Sequence, residues 1–428
     1  MPSATKIAPQ MARCRYCGSE HLPELDRCPS CGAALSQRSA KIVLVVTLVL
    51  LVAGVAITQW LVNLHRVTEV GLAHRWFTRG EQAMQANMPQ AAAECFRAAL
   101  NYDRENRQYR LRLAQALLAQ NRVAEARAHL LSLWEQTPAD GEVNLTLARL
   151  EAHSGNVNEA IRYYNNAING VWETAPREQR TAARFELARY LMQNQRLPQA
   201  EADLMELQAD APAEPANQLL LAEMLLQLGE PSHALQSYQL LLSKEPTDAQ
   251  AWLGESKAYV ALGRYSEAER AAARAVQYDA KLQGARDQLE LTRDLLGLAP
   301  GLRGLTLAER ARRVAKAFDA AMTRLRTCAA NQSIDLVTPP GANPAPAAKV
   351  TNGLAASAPN ALQLLYTSGL QKQSDATETA LRKNPDALEP TMQYVFQVEK
   401  AAASICPDMT MTDRALLTLA QHEGEAVR

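Results

Sequence analysis

One phase of small and bulky side chains returns about every 34 residues along this chain, and few folds can satisfy it. Residues 107–140 place Leu113, Ala114, Leu117, Ala126, Leu130, Leu133 and Pro138 in this phase, and residues 215–248 repeat it with Leu221, Ala222, Leu225, Ala234, Tyr238, Leu241 and Pro246. Residues 181–214 give Leu187, Ala188, Leu191, Ala200, Leu204, Leu207 and Pro212. The windows 73–106, 141–174 and 249–282 keep the phase more loosely, through Trp76, Gly80, Ala92, Phe96 and Ala99, then Leu147, Ala148, Ala160, Tyr164 and Ala167, then Trp252, Tyr259, Gly263, Tyr265, Ala268 and Ala275. Small residues let two helices approach closely. Pro ends the second helix, because it lacks an N–H and restricts the residue before it. Ala, Leu, Gln, Glu and Arg are abundant and aromatic residues make up only 5%, a balance that favours helix.

The shared phase resembles the tetratricopeptide repeat. The resemblance covers about half the chain as six repeats, with an extra segment, ETAPREQR, after the third. It implies a mainly α fold, an α-solenoid of stacked helix pairs, A and B. Residues 283–297 are then a polar-faced capping helix, so the solenoid spans 73–297. Solenoids of this family bind protein segments on the concave face, lined mainly by the A helices. Carried over by repeat position, the groove residues are Phe77, Glu81, Leu111, Gln115 and Arg149 in the first three repeats. In the last three they are Phe185, Arg189, Leu219, Glu223 and Lys257. Arg149 and Arg189 occupy equivalent positions and would suit an acidic partner segment, or be solvated without a ligand role. The Asn-and-Lys clamp that some family members use for chaperone C-termini is not matched.

From Ile42 to Leu64 no side chain is charged, with Lys41 and Arg66 at the edges. About 20 apolar residues cross a bilayer core as a helix, so residues 41–64 are expected to be one transmembrane helix, with Trp60 near its far interface. A signal peptide would begin nearer residue 1, and a buried soluble helix is rarely apolar on every face.

Residues 14–32 read CRYCGSEHLPELDRCPSCG, two Cys-x2-Cys pairs each followed by Gly. Four thiolates complete a tetrahedral shell, so Cys14, Cys17, Cys28 and Cys31 are expected to hold structural zinc. The stretch resembles the short zinc ribbons that precede transmembrane helices in many prokaryotic membrane proteins. Residues 1–36 form that domain with its tail. Two disulfides are the alternative. Zinc thiolates need a reducing compartment, which places the N-terminus in the cytoplasm and the solenoid outside it, at a bacterial inner membrane. The reverse orientation would put the ribbon outside, where it would lose its metal.

Residues 298–428 carry helical patterns at 306–330, 358–384, 388–405 and 411–422 around a Pro/Ala-rich linker near 335–355, and are expected to form a helical bundle closing the solenoid. Thr306 and Glu309 make a capping-box pattern. Cys328 and Cys406 each end a helix. Outside the cytoplasm they are a candidate disulfide, and otherwise two unrelated buried thiols. Cys95 reads as a small buried residue.

Equal counts of basic and acidic residues, 45 each, give no reason to expect nucleic acid or a charged lipid surface. No phosphate-cradling loop, His-Glu-x-x-His or Gly-x-Ser-x-Gly motif is present, so no enzyme is expected. Two functions remain. One is a membrane-anchored scaffold whose solenoid gathers envelope proteins. The other is a regulator whose zinc ribbon meets a cytoplasmic partner or nucleic acid.

Overall fold

The computed structural model describes residues 10–35, 37–210, 214–336 and 358–426. The chain divides into two compact units, Met1–Gly170 and Val171–Arg428. Most of the Pro/Ala-rich linker near 335–355 lies outside the described residues.

The first unit begins with a two-stranded antiparallel ribbon, β1 (Ala12–Arg13) and β2 (Glu20–His21). It continues into α1 (Gln37–Gln85), α2 (Pro89–Tyr102), α3 (Arg107–Ala119), α4 (Val123–Gln136), α5 (Gly141–His153) and α6 (Val157–Ile168). The second unit contains α7 (Pro176–Gln193), α8 (Leu197–Asp210), α9 (Pro215–Leu228), α10 (Pro231–Lys244), α11 (Ala249–Ala261), α12 (Tyr265–Tyr278) and α13 (Ala285–Leu298). Its remaining helices are α14 (Leu307–Asn331), α15 (Ala358–Lys372), α16 (Glu378–Lys383), α17 (Leu388–Ile405) and α18 (Met411–Ala426).

Each expected repeat is one helix hairpin, and the local reason lies in its turn. The fifteenth residue of every window, Asn87, Asn121, Gly155, Gln195, Gly229 and Gly263, has positive φ. A single left-handed residue ends helix A and reverses the chain, a conformation Gly and Asn reach most cheaply. The A helices also start on shared chemistry. The side chains of Asn106, Asp140 and Asp248 accept from backbone N–H groups in the first turns of α3, α5 and α11. Within the hairpins, Ala92, Ala126, Ala160, Ala200, Ala234 and Ala268 are all fully buried, and each lets its B helix close on its A helix. At Gly80 the fit within the first hairpin is close: a Cβ there would lie 2.4 Å from the ring of Phe96.

Three expectations change. The apolar run and the first repeat's A helix are one continuous 49-residue helix, α1. Nothing between Leu64 and Ala73 breaks it, because no Pro or Gly pair interrupts that stretch. By length and composition α1 is long and apolar enough to cross a membrane, with a window of mean hydropathy 2.7 and no burial. Next, ETAPREQR does not stand apart from the fourth repeat. Its Pro176 opens α7, which extends that repeat's A helix to 18 residues. Finally, α13 does not end the fold against solvent. It packs against α14 and α18, and Thr412 on α18 donates to Asp294 at 2.9 Å.

In the C-terminal region Thr306 caps α14 by accepting from the N–H of Glu309 at 3.2 Å. The Glu309 carboxylate pairs with Arg312 and Arg313. Val314, Phe318, Met322 and Leu325 are buried as the stripe required, whereas Leu307 is 41% exposed at the first turn. The helix expected over 358–384 breaks after Lys372, and Thr377 caps a new start at α16.

Candidate functional site

Two kinds of constellation stand out, one of sulfur in the first unit and one along the A helices of each unit taken by itself. The sulfur site is built from two matching turns. The N–H of Cys14 donates to Ser19 O at 2.9 Å and that of Gly18 to Cys14 O at 2.9 Å. The second turn repeats this with Cys28 to Ala33 at 2.8 Å and Gly32 to Cys28 at 2.8 Å. Gly18 and Gly32 have φ of +73° and +71°, and a Cβ added to either would meet nothing within 4 Å. The turn therefore demands glycine for its backbone and not for space. The result points four sulfurs at one centre. All four lie within 4.8 Å of one another, Cys14 to Cys31 at 3.8 Å and Cys17 to Cys28 at 3.5 Å. The Cys14–Cys31 separation equals the edge of a tetrahedron with about 2.3 Å metal–sulfur bonds, about 3.8 Å, and the Cys17–Cys28 separation is a little shorter. The four cysteines could hold a metal ion. The Ser19 hydroxyl stands among the sulfurs, 3.2 Å from that of Cys28 and 3.0 Å from that of Cys17. His21 is buried and its Nδ1 faces the carbonyl of Leu22 at 2.9 Å, which ties the ring to the backbone.

Along the A helices of the first unit, the expected groove residues separate into two kinds. Phe77 is half-buried and stacks on Tyr109 of the next A helix at 4.8 Å. Leu111 occupies the same repeat position and is only 2% exposed. It does not line an open face, because successive A helices close over the side chain at this position. Glu81, Gln115 and Arg149 stand one turn further on. Arg149 is exposed. Glu81 is held by Arg112 at 3.4 Å, and Arg112 also reaches Glu142 at 3.1 Å and donates to Gln115 at 2.7 Å. Gln115 in turn donates to Thr146 at 3.2 Å. Arg112 thus joins α1, α3 and α5 through polar contacts, a role the repeat positions do not announce.

In the second unit Phe185, at 4% exposure, is a core residue for the same reason as Leu111, and Leu219 is half-buried against the same cluster. Arg189 and Lys257 are exposed, while Glu223 accepts from Gln250 at 3.5 Å. At this position Arg189 and Lys257 are therefore the exposed polar side chains here and Arg149 in the first unit, while Glu223, Glu81 and Gln115 are half-buried.

Cys328 and Cys406 are joined as a disulfide that closes 78 residues of chain and ties α14 to the end of α17. Beside it Arg324, 6% exposed, donates to the carbonyls of Cys406, at 2.6 Å, and Asp408, and pairs with Asp413 at 3.4 Å. Cys95 is half-buried within α2.

Comparison with known proteins supports the repeats. Residues 83–150 match one family model described as tetratricopeptide repeat, and residues 185–249 and 219–285 match another of the same description. The chain carries tetratricopeptide repeats, modules that generally mediate contacts between proteins. Among solved structures, YrrB, described as a TPR protein with an unusual peptide-binding site, is 15% identical over 45% of this chain and 97% of its own, with a TM-score of 0.35. PilF of Pseudomonas aeruginosa is 14% identical over 51% of this chain and 97% of its own, with a TM-score of 0.38. The C-terminal part of a TPR protein from Cytophaga hutchinsonii is 14% identical over 52% and 86%, with a TM-score of 0.42. At these values no partner or pathway is carried over. No curated protein matches the chain.

Proposed function

We propose that this chain is a single-pass membrane adaptor: a cytoplasmic zinc ribbon, a transmembrane segment in α1, and an extracytoplasmic repeat domain that gathers protein partners at a bacterial inner membrane. The observation that carries the reading is the division of cysteine chemistry. Four sulfurs converge on one centre before the apolar run, and a disulfide follows it. Metal thiolates persist where the compartment is reducing and structural disulfides where it is oxidising, so a membrane between them accounts for both. The sulfur spacings suit Zn²⁺ in a closed, structural shell with no open position for a substrate. In the second unit the groove position mixes base and acid, Arg189, Glu223 and Lys257, which suits a polar segment of mixed charge more than a uniformly acidic or basic one.

Fusion of a compartment-dependent reporter to the C-terminus tests the topology. Alkaline phosphatase, which needs disulfides, is expected to be active there, and a cytoplasm-only fluorescent protein is expected to stay dark. The opposite pattern overturns the reading. Crosslinking and pull-down then test the adaptor role. Partners should be lost when Arg189 and Lys257 are both replaced by Ala, and kept in Cys14→Ser. A partner lost only in Cys14→Ser would support the regulator instead.

A further inference from the structure

We infer that the first unit's repeats stand close over the bilayer, with the loop Asp103–Asn106 facing the lipid headgroups and the A–B turn at the far side. The inference rests on the membrane reading above and adds an orientation to it. Its basis is the unbroken run of α1 from the apolar segment into the first hairpin. A continuous helix carries direction as well as connection, so the axis of the span becomes the axis of the first A helix.

Distances along that axis follow from the rise of about 1.5 Å per residue. Ala73, the first fully buried residue of the hairpin, follows Leu64 by nine residues, about 14 Å beyond the apolar edge. α2 returns antiparallel after the short turn at Ala86–Met88, because α1 and α2 pack along their length with Phe96 against Gly80. Ala73 and Ala99 share a small core with Tyr109, so the end of α2 lies level with Ala73. The loop after α2 therefore sits about 14 Å above the hydrocarbon edge. The headgroup layer occupies roughly 5–8 Å of that. By contrast Gln85, at the other end of the hairpin, stands about 32 Å out. Tilting the span by the usual 20° or so changes the height of Gln85 by about 6% and moves the loop, about 9 Å off the α1 axis, up or down by about 3 Å, which leaves their order unchanged.

The loop's own charges say what kind of contact this is. Asp103, Arg104, Glu105 and Arg107 balance, and Arg107 is paired with Asp140. The loop offers no basic patch to draw it to anionic lipid. Proximity is imposed by the helix, so it does not depend on lipid charge.

The test uses the full chain in vesicles whose headgroups carry a short-range quencher, with one fluorophore incorporated site-specifically at Arg104 or at Gln85. Quenching at position 104 is expected to exceed that at position 85 several-fold, and to be the same in neutral vesicles and in vesicles with anionic lipid. Equal quenching at both positions in vesicle-bound chain overturns the orientation and leaves the membrane reading standing. A chain that does not float with the vesicles overturns both. Insertion of a 12-residue Gly/Ser segment between Thr68 and Glu69 should abolish the difference. If the difference survives, the loop binds lipid by itself and the role assigned to α1 is wrong.

Discussion

The hydroxyl of Tyr265 lies 2.7 Å from Nδ1 of His422, and the two rings stack at 5.9 Å although 157 residues separate them. Burial pushes the phenol up to about 12, so it keeps its proton and shares a hydrogen bond with the imidazole. This contact fastens the last helix, α18, to the sixth repeat. Tyr265→Phe removes the hydrogen bond with little change in packing, and should cost about 1 kcal/mol of stability. His422→Ala should cost at least as much. The double variant should cost less than the sum, because both changes remove one interaction. Urea unfolding of the three variants measures this.

Glu399 carries a pH dependence whose sign can be worked out. It is 1% exposed, and burial, reinforced by Asp413 and opposed by Arg324, pushes its carboxyl up to about 8. Between the ordinary carboxylate range and pH 8 the folded chain holds this proton and the unfolded chain has released it. Stability is therefore fullest on the acid side and is lost as pH rises through that window. Between pH 5.5 and 8.5 the C-terminal helices should lose about 2–4 kcal/mol. Glu399→Gln should remove most of that slope in urea unfolding followed at α17.

The Cys328–Cys406 bond closes a long loop, 78 residues, and so removes much freedom from the unfolded chain. On the chain-entropy argument, Cys328→Ser with Cys406→Ser should lower stability by about 4 kcal/mol. Arg324 should lose its hold on the Cys406 carbonyl at the same time, seen as faster hydrogen exchange at the end of α17. Unchanged stability would show that packing alone holds α14 against α17.

Gly80→Ala tests the close approach of α1 and α2. The added methyl would meet the Phe96 ring at 2.4 Å, so the ring or the hairpin must shift, at a cost of about 1–3 kcal/mol. Gly80→Ala with Phe96→Leu should recover part of the loss in thermal unfolding.

The proposed metal centre makes a stoichiometric prediction. Purified chain should carry one zinc ion per molecule, and Cys14→Ser should lose it. A chelator should broaden the amide signals of residues 12–35 and leave the repeats unchanged, because so small a ribbon folds on its metal. Zinc-free chain with those signals intact would count against the assignment.

How much of this was legible in the residues differs by element. The repeats were, because their phase is written in small residues such as Ala126 and Ala234 set among bulky ones; the turn residues from Asn87 to Gly263 keep the same phase, but only their backbone angles single them out. The four converging sulfurs were legible from spacing and the glycines behind them. The groove was legible only in part. Leu111 and Phe185 obey the repeat position but are covered by the neighbouring A helix, a packing outcome that one repeat's sequence does not contain. Arg112 was missed because its role needs partners on α1 and α5 at once. Tyr265 and His422 could not be paired, since no periodicity links a repeat to a helix 157 residues away. The continuity of α1 had a local sign that was available: no Pro separates Leu64 from Ala73.

That continuity governs how a soluble fragment of the repeats can be made. A helix severed in its middle starts with four backbone N–H groups lacking acceptors, and it frays unless a side chain caps it. Cutting at Ala73 would place those groups beside Trp76 and Phe77, whose rings complete the aromatic cluster with Phe96 and Tyr109. Starting instead at Thr68, whose hydroxyl can serve as a cap, leaves more than a turn of helix to unravel before that cluster is reached.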